Sequence, residues 1–161
     1  IIKQIINILR KEKIQTISSN AYTPEISLYK GNYTTTRPNI SDKKDIRRGE
    51  KALKKSGKFS FVQGVVCRNS KILALEGSGG TQKMIKEIKK IDKFPNGVLI
   101  KFPKKRQDLR VDLPTIGLET LKQCKTAGLK GIVLKHKLNI FLNKRQSVKY
   151  ANRNKMFIFI K

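Results

Sequence analysis

Short apolar runs rich in β-branched residues, spaced between segments of helical period, restrict the fold of this chain more than any other feature. Gly97 to Phe102, Ile132 to Leu134 and Met156 to Ile160 are too short for buried helices and read as strands. Between them lie stretches with helix start and stop chemistry. Ser41 is placed to cap a helix over 42–56, with Asp42 and Asp45 in its first turns, Lys54 and Lys55 near its end and Gly57 past its stop. Thr81 opens a second helix with Met84, Ile85, Ile88 and Ile91 on one side, and Thr115 is placed to cap a third from Ile116 to Thr126, ended by Gly128. Lys144 to Asn154 predicts a last helix. Phe59 to Arg68 and Lys71 to Glu76 flank Asn69-Ser70 as a hairpin, while Ile132 to Leu134 and Leu138 to Leu142 predict a second hairpin-like pair. This alternation predicts an α/β (mixed α+β) fold: a single three-layer-like domain with a mixed sheet and several short helices.

Domain limits follow from where the pattern changes. Ile2, Ile5, Ile6 and Leu9 form a helical stripe and Ile14 to Ile17 alternates as a short strand might, so residues 1–20 predict the close of an element begun upstream. Residues 21–40 carry Pro24, Gly31 and a Thr34-Thr35-Thr36 run, which predicts a linker. The main domain is then 41–161, within a chain of 161 residues that is long enough for one full core.

The formal charge of +26 creates a field that attracts nucleic acid, phosphorylated substrates or acidic lipid, and charge alone does not choose among them. Lys outnumbers Arg 28 to 9 in a chain rich in Ile and Asn, a bias that drift in an AT-rich genome would also produce. Cys67 and Cys124 lie far apart inside apolar segments, which excludes a metal knuckle or disulfide framework and predicts small core residues of a cytosolic protein. No apolar run approaches the roughly 18 residues that a membrane span requires. Aromatics make up 7% of the chain and form no stacking pattern, so sequence-specific RNA recognition is not expected.

The stretch Gln107-Asp108-Leu109-Arg110-Val111-Asp112-Leu113-Pro114-Thr115-Ile116-Gly117 holds the richest chemistry. Two carboxylates four residues apart can hold Mg²⁺ or orient water, the arginine between them can pair with phosphoryl oxygens, and a helix start at Thr115 would attract an anion. The same residues also suit a helix cap and a surface ion pair between Asp108 and Arg110. Glu76-Gly77-Ser78-Gly79-Gly80-Thr81 runs from a strand through glycines into a helix, where a backbone can approach phosphate, or where a plain loop can form. Lys101, Lys104, Lys105 and Arg106 precede the acidic stretch, either near a bound diphosphate or in a solvated loop. His136 has no partner at triad or metal spacing and reads as structural.

Gly97-Val98-Leu99-Ile100-Lys101, then Gln107 to Gly117, then Ala127-Gly128-Leu129-Lys130-Gly131-Ile132 resemble the LpxI-type UDP-2,3-diacylglucosamine pyrophosphatase family. Asp45-Ile46-Arg47-Arg48-Gly49 resembles that family's Asp-Ile-x-Arg-Gly helix, and Gln63 to Glu76 its strand pair ending in Glu. The resemblance covers about residues 40 to 160 and implies a C-terminal catalytic-type α/β domain, preceded at residues 1–20 by the end of a largely missing Rossmann-like domain. It implies Mg²⁺-dependent hydrolysis of UDP-2,3-diacylglucosamine, with water attacking the sugar-side phosphate, to give UMP and 2,3-diacylglucosamine 1-phosphate (lipid X) in lipid A synthesis of Gram-negative bacteria. It also implies a nucleotide-sugar lipid as substrate, a cytoplasmic setting with peripheral inner-membrane contact, and room for a homodimer; no nucleic acid is expected.

On that basis Asp108, Asp112 and Arg110 are the expected catalytic residues, and Asp108, Asp112 and Glu76 the expected metal ligands. Lys101, Gln107, Thr115, Gly80, Thr81 and Gln63 are the expected substrate contacts. The family's Glu, two small residues, then Glu-Gly-Thr-Asp is matched here by Glu76, Gly80 and Thr81, but Gly79 and Gln82 stand at the other two acidic positions. These two replacements motivate one rival expectation, an inactive truncated homologue, and the basic charge another, a non-catalytic module for RNA or anionic lipid.

Overall fold

The computed structural model describes residues 2–56, 62–88, 95–104 and 108–161. Its elements in chain order are α1 (Ile2–Lys11), α2 (Ser19–Tyr22), β1 (Gly31–Asn32), α3 (Ile40–Lys55), β2 (Gly64–Arg68), β3 (Lys71–Leu75) and α4 (Gly80–Lys86). There follow β4 (Val98–Lys101), β5 (Thr115–Ile116), α5 (Leu118–Thr126), β6 (Gly131–Leu134), β7 (Ile140–Phe141), α6 (Lys144–Arg153) and β8 (Phe157–Ile160). The main sheet has the order β1-β8-β6-β4-β2-β3. Strands β4, β6 and β8 are parallel; β1, β2 and β3 run against their neighbours.

Both faces of the sheet are covered, which makes the expected three-layer α/β arrangement. Alternation along β4 sends Val98 and Ile100 to one face with Val65, Cys67, Val133 and Phe157, where α3 supplies Ile46 and Ala52. Leu99 points to the other face with Val66, Ile132 and Ile158, against Met84 and Ile85 of α4, Leu121 and Cys124 of α5 and Ala151 of α6. Leu99, Ile132 and Ile158 are wholly buried, and each such side chain contributes about 1.5–3 kcal/mol. Gly49 lets α3 lie this close: a Cβ there would stand 2.6 Å from Cδ1 of Ile100. Burial pushes the Cys67 thiol up to about 12 and the Cys124 thiol up as well, so both remain inert core groups.

Local chemistry explains most boundaries. The β2–β3 hairpin turns on Asn69 and Ser70, both with positive φ (53° and 60°), the two-residue geometry whose twist suits antiparallel strands. Helix α5 ends in paired hydrogen bonds, Leu129 N–H to the Cys124 carbonyl (2.8 Å) and Gly128 N–H to that of Lys125 (3.0 Å), with Gly128 at φ 72°. Gly57, Phe59 to Phe61 and Ile91 lie outside the described residues.

Several expectations are corrected. Asn39, not Ser41, caps α3: its side chain accepts from Asp42 N–H, and the Asp42 carboxylate accepts from Asn39 N–H, both at 2.8 Å. Thr115 does not cap a helix; it pairs with Ile140 in β5, and Gly117 precedes α5. Ile132 to Leu134 and Leu138 to Leu142 form no hairpin, because β6 lies between β4 and β8 whereas β7 joins β5 in a separate parallel pair. Ile14 to Ile17 forms no strand. Within the stretch read as a linker, Leu28 is wholly buried, β1 pairs with β8, and the Thr34 hydroxyl accepts from Ile158 N–H at 3.0 Å.

Candidate functional site

The carboxyl end of β4 gathers several of the residues picked out by sequence. The alternation that sends Leu99 toward α4 sends Lys101 the same way, and there it meets the residues that follow β3. Glu76 closes the hairpin by donating its backbone N–H to the Gly64 carbonyl at 2.9 Å. Its side chain turns inward and is 7% exposed. Gly80, at φ 76°, starts α4, and Thr81 follows on its first turn.

Glu76, Thr81 and Lys101 form one hydrogen-bonded cluster. The Thr81 hydroxyl donates to Glu76 Oε1 at 2.7 Å, the Lys101 ammonium donates to the Thr81 oxygen, and Lys101 Nζ lies 3.9 Å from Glu76 Oε1. Burial holds the Lys101 ammonium below its ordinary pKa, with Glu76 pulling it back up and Lys104 adding to the fall. Glu76 Oε2 is buried and has no hydrogen-bond partner among the described residues. The oxygen faces Gly64, where a Cβ would come within 2.8 Å of it. Gln63, half-buried, adjoins the cluster and takes the Phe102 N–H on its carbonyl at 2.9 Å.

Beyond β4 the chain makes an acidic loop that returns at Pro114. Asp108 folds it: its backbone carbonyl accepts from Asp112 N–H at 2.9 Å, and its carboxylate accepts from the Arg110 backbone N–H at 3.1 Å. The Arg110 guanidinium donates to both carboxylate oxygens, Nε at 3.0 Å and Nη2 at 2.7 Å. The Arg110 side-chain hydrogen bond, chiefly, pulls the Asp108 carboxyl down to about 2. Asp112 is half-buried, and Thr115 points its hydroxyl at the Leu113 carbonyl, 3.2 Å away. Gln107, Lys105 and Arg106 lie outside the described residues.

Two contributions escape the sequence reading. Asn139 is wholly buried, and its amide nitrogen donates to the Lys101 carbonyl (3.1 Å) and to the Pro114 carbonyl (3.2 Å). One side chain thus pins the departure and the return of the acidic loop, while its oxygen accepts from Lys135 N–H at 2.8 Å. The second is a 250 Å³ pocket in which Arg110 meets Arg10, Lys13 and Thr16 from the N-terminal segment. The basic last turn of α1 hints at the pocket; a lone Asn before a two-residue strand gives no such signal.

The structure therefore joins Glu76, Gly80, Thr81 and Lys101 in one group and Asp108, Arg110 and Asp112 in another. Among the described residues no three His, Cys, Asp or Glu side chains converge as a metal cage. Asp108 engages both oxygens with Arg110, and Glu76 stands against an ammonium. As arranged, these side chains do not fit a protein-held Mg²⁺. What they do fit is an anion, since a guanidinium has five N–H donors and Asp108 occupies only part of that set.

A family model for the LpxI C-terminal domain matches residues 29–159. The chain is also 29% identical over 140 residues to the UDP-2,3-diacylglucosamine pyrophosphatase LpxI of Caulobacter vibrioides, a match covering 83% of this chain and 50% of that protein. The chain thus spans about half the length of the curated relative. With the acidic loop, the glycine turn after Glu76 and the three-layer sheet all inside the matched region, the chain belongs to the LpxI family, as its C-terminal domain.

Proposed function

We propose that this domain serves hydrolysis of the diphosphate in UDP-2,3-diacylglucosamine, yielding UMP and 2,3-diacylglucosamine 1-phosphate. The observation that supports this reading is the acidic loop, pinned at its base by Asn139 and turned so that Arg110 lines a cationic pocket with Arg10 and Lys13. In the proposed step Arg110, Arg10 and Lys13 draw the phosphoryl oxygens, and Asp112 orients the attacking water. Asp108, held low by Arg110, is a poor base near neutral pH and acts by fixing the guanidinium. Gln107 and Thr115 flank the loop as substrate contacts. Lys101, with Thr81, Gly80 and Gln63 around it, contributes positive potential from below the surface rather than a direct phosphate contact.

The same proposal carries a cytoplasmic setting, a lipid-linked nucleotide sugar, peripheral contact with the inner-membrane surface and a homodimer. No helix among the described residues is long and apolar enough to cross a membrane.

The test is UMP release from UDP-2,3-diacylglucosamine, with and without Mg²⁺, by the chain and by its Asp112→Ala variant. Turnover that falls about 100- to 10,000-fold in the variant is expected. Near-normal turnover by the variant would remove Asp112 from the mechanism. The formal charge of +26 favours a second reading, a basic module without catalysis, and Gly79 and Gln82 at the family's other acidic positions favour loss of activity. Salt-sensitive retention on acidic vesicles or RNA, with no UMP released, is the outcome that selects it.

A further inference from the structure

On the face of the sheet opposite Lys101, the carboxyl ends of β4, β6 and β8 leave an open groove. Phe102, Lys135 and Lys161 are the residues that follow those strands. Leu53 near the end of α3, Phe102 and Phe159 are half-buried apolar residues packed at the margin of the α3-side core. Leu53, Phe102 and Pro103 floor a groove of 590 Å³ whose rim carries Lys54, Lys135, Lys161 and Glu50. Lys135 and Lys161 also border a second hollow of 690 Å³ with Lys30, His136 and Phe159.

The charges are unbalanced. Glu50, the carboxylate of the groove, is held by Lys161 at 2.7 Å. Among the described residues no ion pair engages Lys54, Lys30 or Lys135, and Lys135 Nζ sits 5.4 Å from the centroid of the Phe102 ring. A lysine rim around a phenylalanine, leucine and proline floor suits a ligand with an anionic head and an apolar body. Its place outside the carboxyl ends of parallel strands is where open α/β sheets accept ligands. A base-stacking platform is disfavoured, because Lys135 already lies over the Phe102 ring.

We infer that this groove binds a phosphomonoester bearing a single alkyl or acyl chain, taken up as a monomer, with Lys54 and Lys135 gripping the phosphate and Phe102, Pro103 and Leu53 receiving the chain. The site is separate from the acidic loop and does not depend on hydrolysis there.

Dodecyl phosphate, titrated below its micellar concentration into the full chain by calorimetry and amide NMR, tests this. Saturable one-to-one binding is expected, with shifts centred on Leu53, Phe102 and Lys135. Inorganic phosphate and neutral dodecyl maltoside should each bind at least about tenfold more weakly, as should the Lys54→Glu/Lys135→Glu double variant at an unchanged unfolding midpoint. Lys135→Gln alone provides a milder variant with the same expected direction. Equal binding by the double variant, by dodecyl maltoside or by inorganic phosphate would overturn the inference, as would an oligonucleotide that displaces dodecyl phosphate from the groove. Asp112→Ala should bind dodecyl phosphate normally, so failure of the hydrolytic proposal and failure of this one give different results.

Discussion

The two ends of the central sheet carry charge for opposite purposes. At the amino end of β4, buried ions close on the protein itself. Arg68, 4% exposed, donates from Nε to the Asn96 carbonyl at 2.9 Å and from Nη2 to that of Ala127 at 3.1 Å. Asp42 combines the α3 cap with an ion pair to Lys130 at 2.7 Å, and Asp45 takes the Ser70 N–H at 2.5 Å. One oxygen is left over even here: Asp45 Oδ2 is buried with no hydrogen-bond partner among the described residues, and burial raises that carboxyl above its ordinary pKa. At the carboxyl end Glu76 and Lys101 also close on each other below the surface, but the outer polar groups face hollows: Arg110 and Arg10 line one pocket, and Lys54, Lys135 and Lys161 another. Buried charges need partners to be tolerated, so the first set is engaged by the fold. In the outer set Arg110 sits on a loop held at its base by Asn139 and keeps donors beyond those given to Asp108, and Lys54 and Lys135 enter no ion pair among the described residues, which leaves charge available to a ligand.

The largest effect expected from breaking this contrast is at Arg68. Arg68→Ala leaves the Asn96 and Ala127 carbonyls without that donor, at about 1–3 kcal/mol for each group, so urea unfolding should show a loss of about 2–6 kcal/mol. A loss below about 1 kcal/mol would erase the distinction between the ends. Asn139→Ala comes next. It should cost about 1–3 kcal/mol and speed hydrogen exchange at Asp112 and Leu113 more than in the strands. Uniform exchange throughout the domain would mean that Asn139 supports the core rather than the loop.

The smallest effect is a titration. Arg110 lowers the folded Asp108 pKa to about 2 from an ordinary 3.8, so the pair is complete above about pH 4 and is lost as pH falls through about 2. A carboxyl-carbon NMR midpoint near 3.8 would show that the bidentate pair does not persist in solution. Both groups lie at the surface, and little change in global stability should accompany the titration.

What the sequence makes legible follows the range of the interactions involved. The α3 helix, the Asn69-Ser70 hairpin, the β4 and β8 strands and the Gly128 stop are written in neighbouring residues, as periodicity, turn chemistry and caps. The misplaced cap is a near miss, because Asn39 and Ser41 are both good capping residues and only the geometry of Asp42 decides between them. The strands β1, β5 and β7 are two residues long and pair with distant partners, too short to show alternation. The acidic loop and glycine turn stand out by composition, whereas the pairing of Lys101 with Thr81 and Glu76 depends on β4 lying beside β2. No local pattern encodes that adjacency.

Central to this account is that the loop after β4 meets phosphate through Arg110. UDP titrated by calorimetry into the chain and its Arg110→Gln variant, at low and moderate salt, tests this most directly. Saturable UDP binding that weakens about tenfold or more in the variant, with unfolding unchanged, is the predicted result. UDP binding as tight in Arg110→Gln as in the parent chain, or none to either, would contradict it.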